Sequence, residues 1–321
     1  MLKIKNKNIF ITGGCGFIGS SLIDNFVNNN KIWCYDNGKR ISPRFKELLK
    51  HKNLTFIKGD ILDKNSLKGS MPKKADIVIH LAAIAGVSSY YKIPFETMSV
   101  NLIGTYNLLE LLKGRDLEMF VDFSTSEVYG RYARDVSEEG PTSQGPISDL
   151  RWTYAISKLA AEEMGHCYYL KHNVPVVSIR PFNIYGPLQI GEGAIQIFVS
   201  RALKDEDIYI NGDGSQVRAW CYIDDLISGV VNCIMKRKVT IGNAFNLGNP
   251  EAAVNTKELA KRIIEISGSR SKIHFRKESR TDIEYRVPDI SKAKRLVGFK
   301  PSIGLSEGLK RTIEFYRENK A

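Results

Sequence analysis

The first half of the chain alternates short apolar segments, rich in valine and isoleucine, with longer segments of helical periodicity. Long helices are predicted over about 95–113 and 153–171, and strands at 8–12, 31–35, 54–57, 76–81, 119–123 and 174–179. Continuous apolar runs separated by helices are typical of parallel strands that are buried on both faces. The alternation therefore predicts an α/β fold built on a Rossmann-type, doubly wound parallel sheet.

The part of the chain after residue 180 has a different texture. The stretches "GPLQIGEG" and "INGDGSQVRAW" are rich in glycine and predict loops. A helix is predicted near 222–236, a strand at 244–247 within a segment near 239–250 that returns to the sheet, and a basic, helical final segment. We therefore expect a domain of residues 1–180 and a smaller C-terminal substrate-binding lobe of residues 181–321, with a second ligand in the cleft between them.

The composition is that of an ordinary globular protein, with 43% hydrophobic and 26% charged residues in 321. We expect no transmembrane helix, because no apolar run of about 18 residues occurs, and no secretory signal, because the first segment lacks its pattern. The five cysteines contain no C-x-x-C pair, and the five histidines lack metal-ligand spacing. These features predict a cytoplasmic protein without a metal.

The net charge of +12 is compatible with nucleic acid or with an anionic small molecule such as a diphosphate. The basic residues are densest between residues 257 and 311, where aromatic residues are not regularly interleaved among them. We therefore predict no nucleic-acid partner and favour a small anionic ligand.

A glycine cluster in "ITGGCGFIG" follows the first predicted strand and opens a helix. Glycine lets the backbone turn tightly and approach a pyrophosphate, and the helix N-terminus supplies free N–H groups and a positive dipole end. The predicted phosphate-binding residues are Gly13, Gly16, Phe17, Ile18 and Gly19.

An acidic residue at the end of the second strand completes this dinucleotide-binding pattern. Asp36, followed by Asn37, is placed to bind the adenosine ribose hydroxyls, and its charge would repel a ribose phosphate. NAD is therefore the predicted cofactor. The nearby Lys39 and Arg40 leave NADP open as an alternative.

Two later strand ends also face the predicted cofactor. Asp60 and Ile61, after the third strand, are expected to border the adenine, and the small residues of "HLAAIAG" allow close passage of the chain. We assign Leu81, Ala82 and Ala83 to the cofactor site, and interpret His80 as a buried core histidine.

Tyr154 and Lys158 lie one helical turn apart in "RWTYAISK", so both side chains emerge on one helix face. A phenol has a pKa of about 10, and a neighbouring ammonium lowers it. The pair is a candidate base near neutral pH. The alternative is a packed tyrosine beside a solvated lysine.

Three stretches, "GGCGFIG", "STSEVYG" and "TYAISK", occur together, and "RPFNIYGP", "GDGSQVRAWCYIDDL" and "RVPDISKAKRLVGFKPS" follow in order. This combination resembles the extended short-chain dehydrogenase/reductase superfamily, in its nucleotide-sugar epimerase, dehydratase and decarboxylase branch. The resemblance implies bound NAD, a nucleoside-diphosphate sugar substrate, and a homodimer in which helices 95–113 and 153–171 form a four-helix bundle.

The resemblance also implies roles for individual residues. Tyr154 resembles the base that takes the proton of the sugar 4-hydroxyl while NAD takes the hydride. Lys158 resembles the residue that holds the nicotinamide ribose, and Thr125 the one that hydrogen-bonds the same hydroxyl. Asn183 and Arg218 resemble residues that bind the diphosphate.

The reaction that follows oxidation of carbon 4 depends on other residues. Dehydratases of this branch carry an acid at the position of Glu127, and that acid removes the carbon-5 proton. In a dehydratase reaction here, Ser126 or Glu127 would protonate the leaving hydroxyl. Decarboxylases of UDP-glucuronate also carry "TSE", and bacterial members share "RW-x-Y" and an arginine matched by Arg286. A guanidinium suits a carboxylate, although Arg286 could equally hold a phosphate or a protein acid.

We rank decarboxylation of UDP-glucuronate first, dehydration of a nucleotide hexose second and 4-epimerisation third. "AAIAGVSSYYKIP" and "TYAISK" depart from plant and animal UDP-xylose synthases, which leaves the substrate open. The non-enzymatic alternative is an NAD-binding sensor.

Overall fold

The chain folds around a seven-stranded sheet whose neighbouring strands are parallel. The computed structural model describes residues 4–277 and 281–319. In chain order, the strands are β1 (Asn8–Thr12), β2 (Lys31–Asp36), β3 (Leu54–Lys58), β4 (Ile77–His80), β5 (Met119–Phe123), β6 (Tyr132–Val136), β7 (Val176–Pro181), β8 (Ile184–Tyr185), β9 (Ile208–Asn211), β10 (Val217–Ala219), β11 (Cys221–Tyr222), β12 (Ala244–Leu247), β13 (Ala253–Asn255), β14 (Ile273–Arg276) and β15 (Tyr285–Pro288). The large sheet has the order β3-β2-β1-β4-β5-β7-β12.

Helices connect these strands and cover the sheet. They are α1 (Phe17–Phe26), α2 (Pro43–Leu48), α3 (Lys64–Ser70), α4 (Val87–Lys92), α5 (Pro94–Met98), α6 (Gly104–Leu112), α7 (Thr153–His172), α8 (Ala194–Ala202), α9 (Ile223–Met235), α10 (Arg237–Thr240), α11 (Thr256–Ser267), α12 (Ser291–Val297) and α13 (Leu305–Glu318). A π-helical segment, Ser99–Ile103, joins α5 to α6, so the predicted helix over 95–113 forms in three pieces. Short 3₁₀ segments occupy Ser126–Tyr129, Leu150–Trp152 and Pro250–Ala252.

Both faces of the large sheet are buried, as continuous apolar strands require. On β1, Ile9 and Ile11 pack in the same cluster as Phe26 of α1. Phe10, on the opposite face, packs with Leu108 of α6. Full burial of each such side chain stabilises the fold by about 1.5–3 kcal/mol. The predicted α/β class with a doubly wound parallel sheet is confirmed.

The returning strand is present where the sequence places it. β12 pairs in parallel with β7, and Phe245 lies opposite Ile179. A second, four-stranded sheet has the order β13-β10-β15-β6 and takes β6 from the first half of the chain. The division of the chain at residue 180 stays a prediction.

The expectation for the C-terminal part needs correction. The final segment, predicted as helical, also contains β13, β14 and β15, and the glycine-rich "INGDGSQVRAW" contains the end of β9 and all of β10. These strands have only three or four residues each, so they carry too little alternation to be recognised.

Within residues 4–277 and 281–319, no helix has the length and apolar character needed to cross a membrane. All five cysteines are free.

Candidate active site

The glycine loop lies between β1 and α1, at the edge of the sheet where strand order reverses between β1 and β4. This edge is where doubly wound folds bind their ligands. Gly13 has φ +72°, and a Cβ there would lie 2.4 Å from the backbone nitrogen of Ala82. A Cβ at Gly19 would lie 2.6 Å from the carbonyl oxygen of Gly13. The loop is packed so closely that neither position admits a side chain.

The N-terminus of α1 is open toward this edge. Gly16 is its N-cap and provides no side-chain cap, and Phe17 and Ile18 begin the helix. A Cβ at Gly16 would come no closer than 3.6 Å to its nearest neighbour. Backbone N–H groups and the helix dipole are thus available to an anion such as a pyrophosphate.

Asp36 is held rigidly at the end of β2. Its Oδ2 accepts a hydrogen bond from the N–H of Cys15 at 3.0 Å, and its Oδ1 accepts one from the N–H of Gly38 at 2.8 Å. The carboxylate therefore lies against the glycine loop, where it could accept hydrogen bonds from the ribose of a dinucleotide. The neighbouring Asn37 is exposed and accepts a hydrogen bond from the N–H of Lys39 at 3.0 Å.

The remaining predicted cofactor residues border the same edge. The exposed Asp60 accepts a hydrogen bond from the N–H of Leu62 at 2.9 Å, and Ile61 is buried against Gly104. The chain after β4 is partly buried and passes directly beside Gly13; its predicted cofactor residues are Leu81, Ala82 and Ala83. These residues fit a dinucleotide.

His80 is a buried core histidine, as the sequence interpretation has it. Thr12 Oγ1 lies 2.6 Å from its Nδ1 and Thr105 Oγ1 lies 2.9 Å from its Nε2. Burial, and then the positive charge of Lys158, lower the pKa of His80 to about 3. The ring is therefore neutral at physiological pH.

Tyr154 lies in the first turn of α7, and its phenol lies near the hydroxyl of Thr125. Its ring stacks on that of Tyr90, with centroids 5.2 Å apart and planes 6° from parallel. Burial and then the negative charge of Glu127 raise the pKa of Tyr154, whereas the Thr125 hydrogen bond lowers it. The pKa of Tyr154 is therefore raised, whereas the sequence analysis expected a neighbouring ammonium to lower it, because burial outweighs the opposing effect of Thr125.

Lys158 lies one turn further along α7 and is only 1% exposed. Its Nζ lies 3.8 Å from Oδ1 of Asp122 on β5. The predicted Tyr–Lys spacing on one helix is thus present, and the ammonium has an acidic neighbour that the sequence did not reveal.

Glu127 is bound by an arginine that we did not predict as a site residue. Arg151 donates to Oε2 of Glu127 at 2.6 Å and to Oε1 at 3.1 Å. Burial opposes ionisation of Glu127, but the charges of Arg151 and Arg286 hold its pKa below the usual range. The only sequence signal for Arg151 was its place in "RWTY", which indicates similarity but no role.

Arg286 lies on the other side of Glu127. One terminal nitrogen lies 4.0 Å from Oε1 of Glu127 and 3.4 Å from Oγ of Ser126, and the other donates to the carbonyl oxygen of Gly130 at 3.2 Å. Its Nε is buried without a hydrogen-bond partner among the described residues. Burial, and then the charges of Arg218 and Arg151, lower the pKa of Arg286 to about 10 against the opposing effect of Glu127. Arg286 thus remains a cation at neutral pH.

Arg218 is the register partner of Arg286 on adjacent strands β10 and β15. Like charges placed opposite each other in a sheet repel. Arg218 donates to Oδ1 of Asp282 at 3.2 Å, and burial lowers its pKa. Asn183, at φ +40°, donates to the carbonyl oxygen of Ala219 at 3.0 Å, next to Arg218.

The fold and this site define an α/β enzyme that uses a dinucleotide on an anionic substrate. The model of the NAD dependent epimerase/dehydratase family matches residues 9–248, and the chain belongs to this family. Membership and the similar proteins described next confirm the predictions of an enzyme, of NAD as cofactor and of a nucleotide-sugar reaction.

The similar proteins include decarboxylases and an epimerase of UDP-linked uronic acids. The chain is 36% identical to the UDP-N-acetyl-alpha-D-glucosaminuronate decarboxylase of Bacillus cytotoxicus, over 97% of this chain and 98% of that protein. It is 34% identical to UDP-glucuronic acid decarboxylase 1 of Xenopus tropicalis, over 97% of this chain and 72% of that protein. A solved structure of UDP-glucuronic acid 4-epimerase from Bacillus cereus, with UDP-glucuronic acid and NAD, superimposes with a TM-score of 0.88 and 31% identity, over 97% of this chain and 99% of that one.

Proposed function

We propose that this protein decarboxylates a UDP-linked uronic acid, with UDP-glucuronate as the first candidate, through a 4-keto intermediate. The observation that carries the proposal is the surplus buried guanidinium of Arg286 beside Glu127 and Ser126. Arg151 has a bidentate partner in Glu127, and Arg218 has one hydrogen bond to Asp282. Arg286 has no carboxylate at hydrogen-bond distance among the described residues, since Glu127 is 4.0 Å away.

A buried cation without a full counter-charge is costly unless a ligand supplies the anion. A uronic acid carries such an anion at carbon 6, in addition to the diphosphate that Arg218 and Asn183 would bind. A neutral hexose would leave Arg286 uncompensated. The charge of the site therefore favours an acidic sugar.

The state of Glu127 argues against dehydration. A base that removes the carbon-5 proton works best with a pKa near the operating pH. Arg151 and Arg286 instead lower the pKa of Glu127, and both carboxylate oxygens accept hydrogen bonds from Arg151. Glu127 is suited to fixing the arginines and poorly suited to taking a proton.

Decarboxylation asks less of the protein once carbon 4 is a ketone. NAD, when bound, supplies hydride acceptance from carbon 4. Tyr154 takes the proton of the 4-hydroxyl as the phenolate, a form that the positive charge of Lys158 on the same helix face would favour. Thr125 orients the hydroxyl. The bond between carbons 5 and 6 then breaks with release of carbon dioxide, its electron pair passes to the 4-ketone as an enolate, and carbon 5 takes up a proton.

The similar proteins support an acidic sugar as substrate. They also suggest one alternative substrate and one alternative reaction. The Bacillus cytotoxicus decarboxylase acts on a 2-acetamido uronic acid, by its name, which makes that sugar a second candidate substrate. The second candidate reaction is 4-epimerisation of UDP-glucuronate, which the Bacillus cereus structure favours.

We further propose a homodimer formed through the helical segment from α5 to α6 and through α7. Large apolar side chains are exposed on these helices: Phe95 is 78% exposed, Ile103 48% and Leu170 67%. Burial of such a surface in a four-helix bundle would account for them. Residues 181–321 are the proposed nucleotide-sugar-binding lobe, and the cytoplasm is the proposed location.

Product masses, together with NMR of the configuration at carbon 4, test this function. The protein is incubated with UDP-glucuronate, its 2-acetamido analogue and neutral UDP-, GDP- and dTDP-hexoses, with Tyr154→Phe as the matched inactive control. We expect loss of carbon dioxide from a uronic acid and no change in the neutral sugars. Loss of water from a hexose contradicts the proposal in favour of dehydration, and a uronic acid of unchanged mass with inverted carbon 4 favours epimerisation.

A further inference from the structure

The carboxylate of Asp122 is buried in an unusual way. Asp122 lies on β5 with no exposed surface, and neither carboxylate oxygen has a hydrogen-bond partner in the described part of the chain. Its register partners on the adjacent strands are His80 and Ser178. A buried carboxylate normally accepts several hydrogen bonds, so this arrangement calls for an explanation.

The positive charge that faces Asp122 belongs to Lys158. The distance from Nζ to Oδ1 is 3.8 Å, and both side chains are excluded from solvent. Glu162, one turn further along α7, is committed elsewhere, because it accepts three hydrogen bonds from Arg180 at 2.6–3.1 Å. Asp122 is therefore the acid available to Lys158 within the described residues.

Stability alone does not account for this pair. Replacing a buried ion pair with well-packed apolar side chains is often neutral or stabilising, and β5 is otherwise apolar apart from Asp122. The buried charge lies 3.8 Å from the ammonium of Lys158, which is one helical turn from Tyr154 on α7. A costly charge held at such a position indicates a role in the chemistry.

We propose that Asp122 is a positioning residue that anchors the ammonium of Lys158 beneath Tyr154 and holds a proton on the Tyr154–Lys158 pair in the ligand-free enzyme. This inference rests on the roles proposed above for Tyr154 and Lys158.

The net charge of the buried groups explains why Asp122 would hold a proton on the Tyr154–Lys158 pair. With Asp122 ionised, loss of a proton from the Tyr154–Lys158 pair leaves a buried net negative charge. With a neutral residue there, the same loss leaves no net charge and is easier. This holds whichever of the two partners gives up the proton, because they titrate as a unit.

The other titratable groups near Asp122 do not supply a charge that would hold this proton. His80, from β4, is neutral at physiological pH, since its pKa is about 3. Glu162, from α7, is neutralised by Arg180 from β7. The negative charge of Asp122 also acts directly on Tyr154, whose pKa it raises after the larger effects of burial and Glu127.

The phenolate titration of Asp122→Asn tests the proposal without any sugar. The phenolate absorbance of the ligand-free protein is titrated, and the titration of the matching Tyr154→Phe protein is subtracted in each background to isolate Tyr154. We expect Tyr154 to stay protonated up to alkaline unfolding in the parent and to ionise at lower pH in Asp122→Asn. The acid limb of the pH–turnover profile of the NAD-loaded enzyme should move to lower pH by roughly one unit.

Asp225→Asn is the matched control. Asp225 is also buried, but it accepts hydrogen bonds from Ser302 and Ile303 and forms no ion pair with Lys158, so its loss should lower stability without moving either titration. If Asp122→Asn leaves both titrations where they are in the parent, or moves them to higher pH, Asp122 is merely a structural residue and the proposal is overturned.

A second measurement covers the case in which Asp122→Asn does not fold. Burial already raises the folded pKa of Asp122 and the charge of Lys158 opposes that rise, so Lys158→Met, which leaves Asp122 buried without a cation, should raise this pKa further. Its stability deficit relative to the parent should therefore be large at neutral pH and shrink as acid protonates Asp122. A deficit that is constant with pH overturns the proposal. Because the phenolate titration and the unfolding measurement use no sugar, a wrong substrate assignment would leave both of these results interpretable.

Discussion

At the scale of single residues, the site depends on which side chains neutralise one another. Glu127 neutralises Arg151, Arg218 reaches Asp282, and Arg286 lacks an acidic partner at hydrogen-bond distance within the described residues. Tyr154, Lys158, Thr125 and Glu127 could be predicted because they lie in short local motifs. Arg151 and Asp122 were not predicted as site residues, because their contacts with Glu127 and Lys158 are made by folding rather than by a motif.

Tyr154→Phe should retain the fold and the NAD content and lose most turnover. Removal of a positioned general base typically costs about 10²- to 10⁴-fold in rate. Initial rates on the preferred nucleotide sugar, together with bound NAD measured after denaturation, check this. Turnover at the parent rate would show that the phenol is not the base.

Arg286→Gln should reduce turnover of a uronic acid strongly, by about 100-fold or more if the guanidinium binds its carboxylate. Retained NAD should be unchanged, because Arg286 lies on β15 of the second sheet. Arg311→Gln is a matched control, since Arg311 forms an exposed pair with Glu307. An equal loss in both variants would contradict the carboxylate assignment.

Glu127→Gln should destabilise the protein at neutral pH by about 3–5 kcal/mol, because it leaves Arg151 buried without its partner. The folded pKa of Glu127 is lowered, so its stabilising contribution is present above the unfolded pKa of about 4.3 and is lost as the pH falls through the folded value. Denaturant unfolding from neutral to acid pH should show the two proteins converging. A difference that does not change with pH would mean that the pair is not ionised.

At the scale of elements, the predictable parts are the long ones. Strands β1 to β5 and β7 are apolar on both faces, and α7 extends over five turns, so each leaves a clear pattern in the sequence. The short strands β13, β14 and β15 do not, because their pairing partners decide their conformation more than their own residues do. The π-helical segment between α5 and α6 likewise has no sequence pattern that we recognised.

The glycine loop offers a direct test at this scale. Gly13→Ala introduces both a strained backbone conformation and a collision with the backbone of Ala82, so it should lose NAD and unfold at a lower temperature. Gly114→Ala is the matched control, because Gly114 has φ +70° but nothing lies within 4 Å of its Cβ position. It should show only the strain, about 1–2 kcal/mol, with normal NAD content. Equal NAD content in both variants would mean that close packing at Gly13 is not needed for the cofactor.

At the scale of the whole molecule, two sheets bring residues from both halves of the chain to one site. The large sheet contributes the glycine loop and Asp36, helix α7 contributes Tyr154 and Lys158, and the smaller sheet contributes Arg218 and Arg286. This division explains why the family and the cofactor are clear from local motifs, whereas the contacts of Arg151 and Arg286 with Glu127 form only in the folded chain.

The central claim is that the 4-keto sugar loses its carboxylate. The most direct measurement follows UDP-glucuronate labelled with ¹³C at carbon 6 by NMR during turnover. We predict that the label appears in carbon dioxide and bicarbonate while a UDP-pentose or its 4-keto form accumulates. A label that remains in the sugar while the substrate is consumed would contradict decarboxylation.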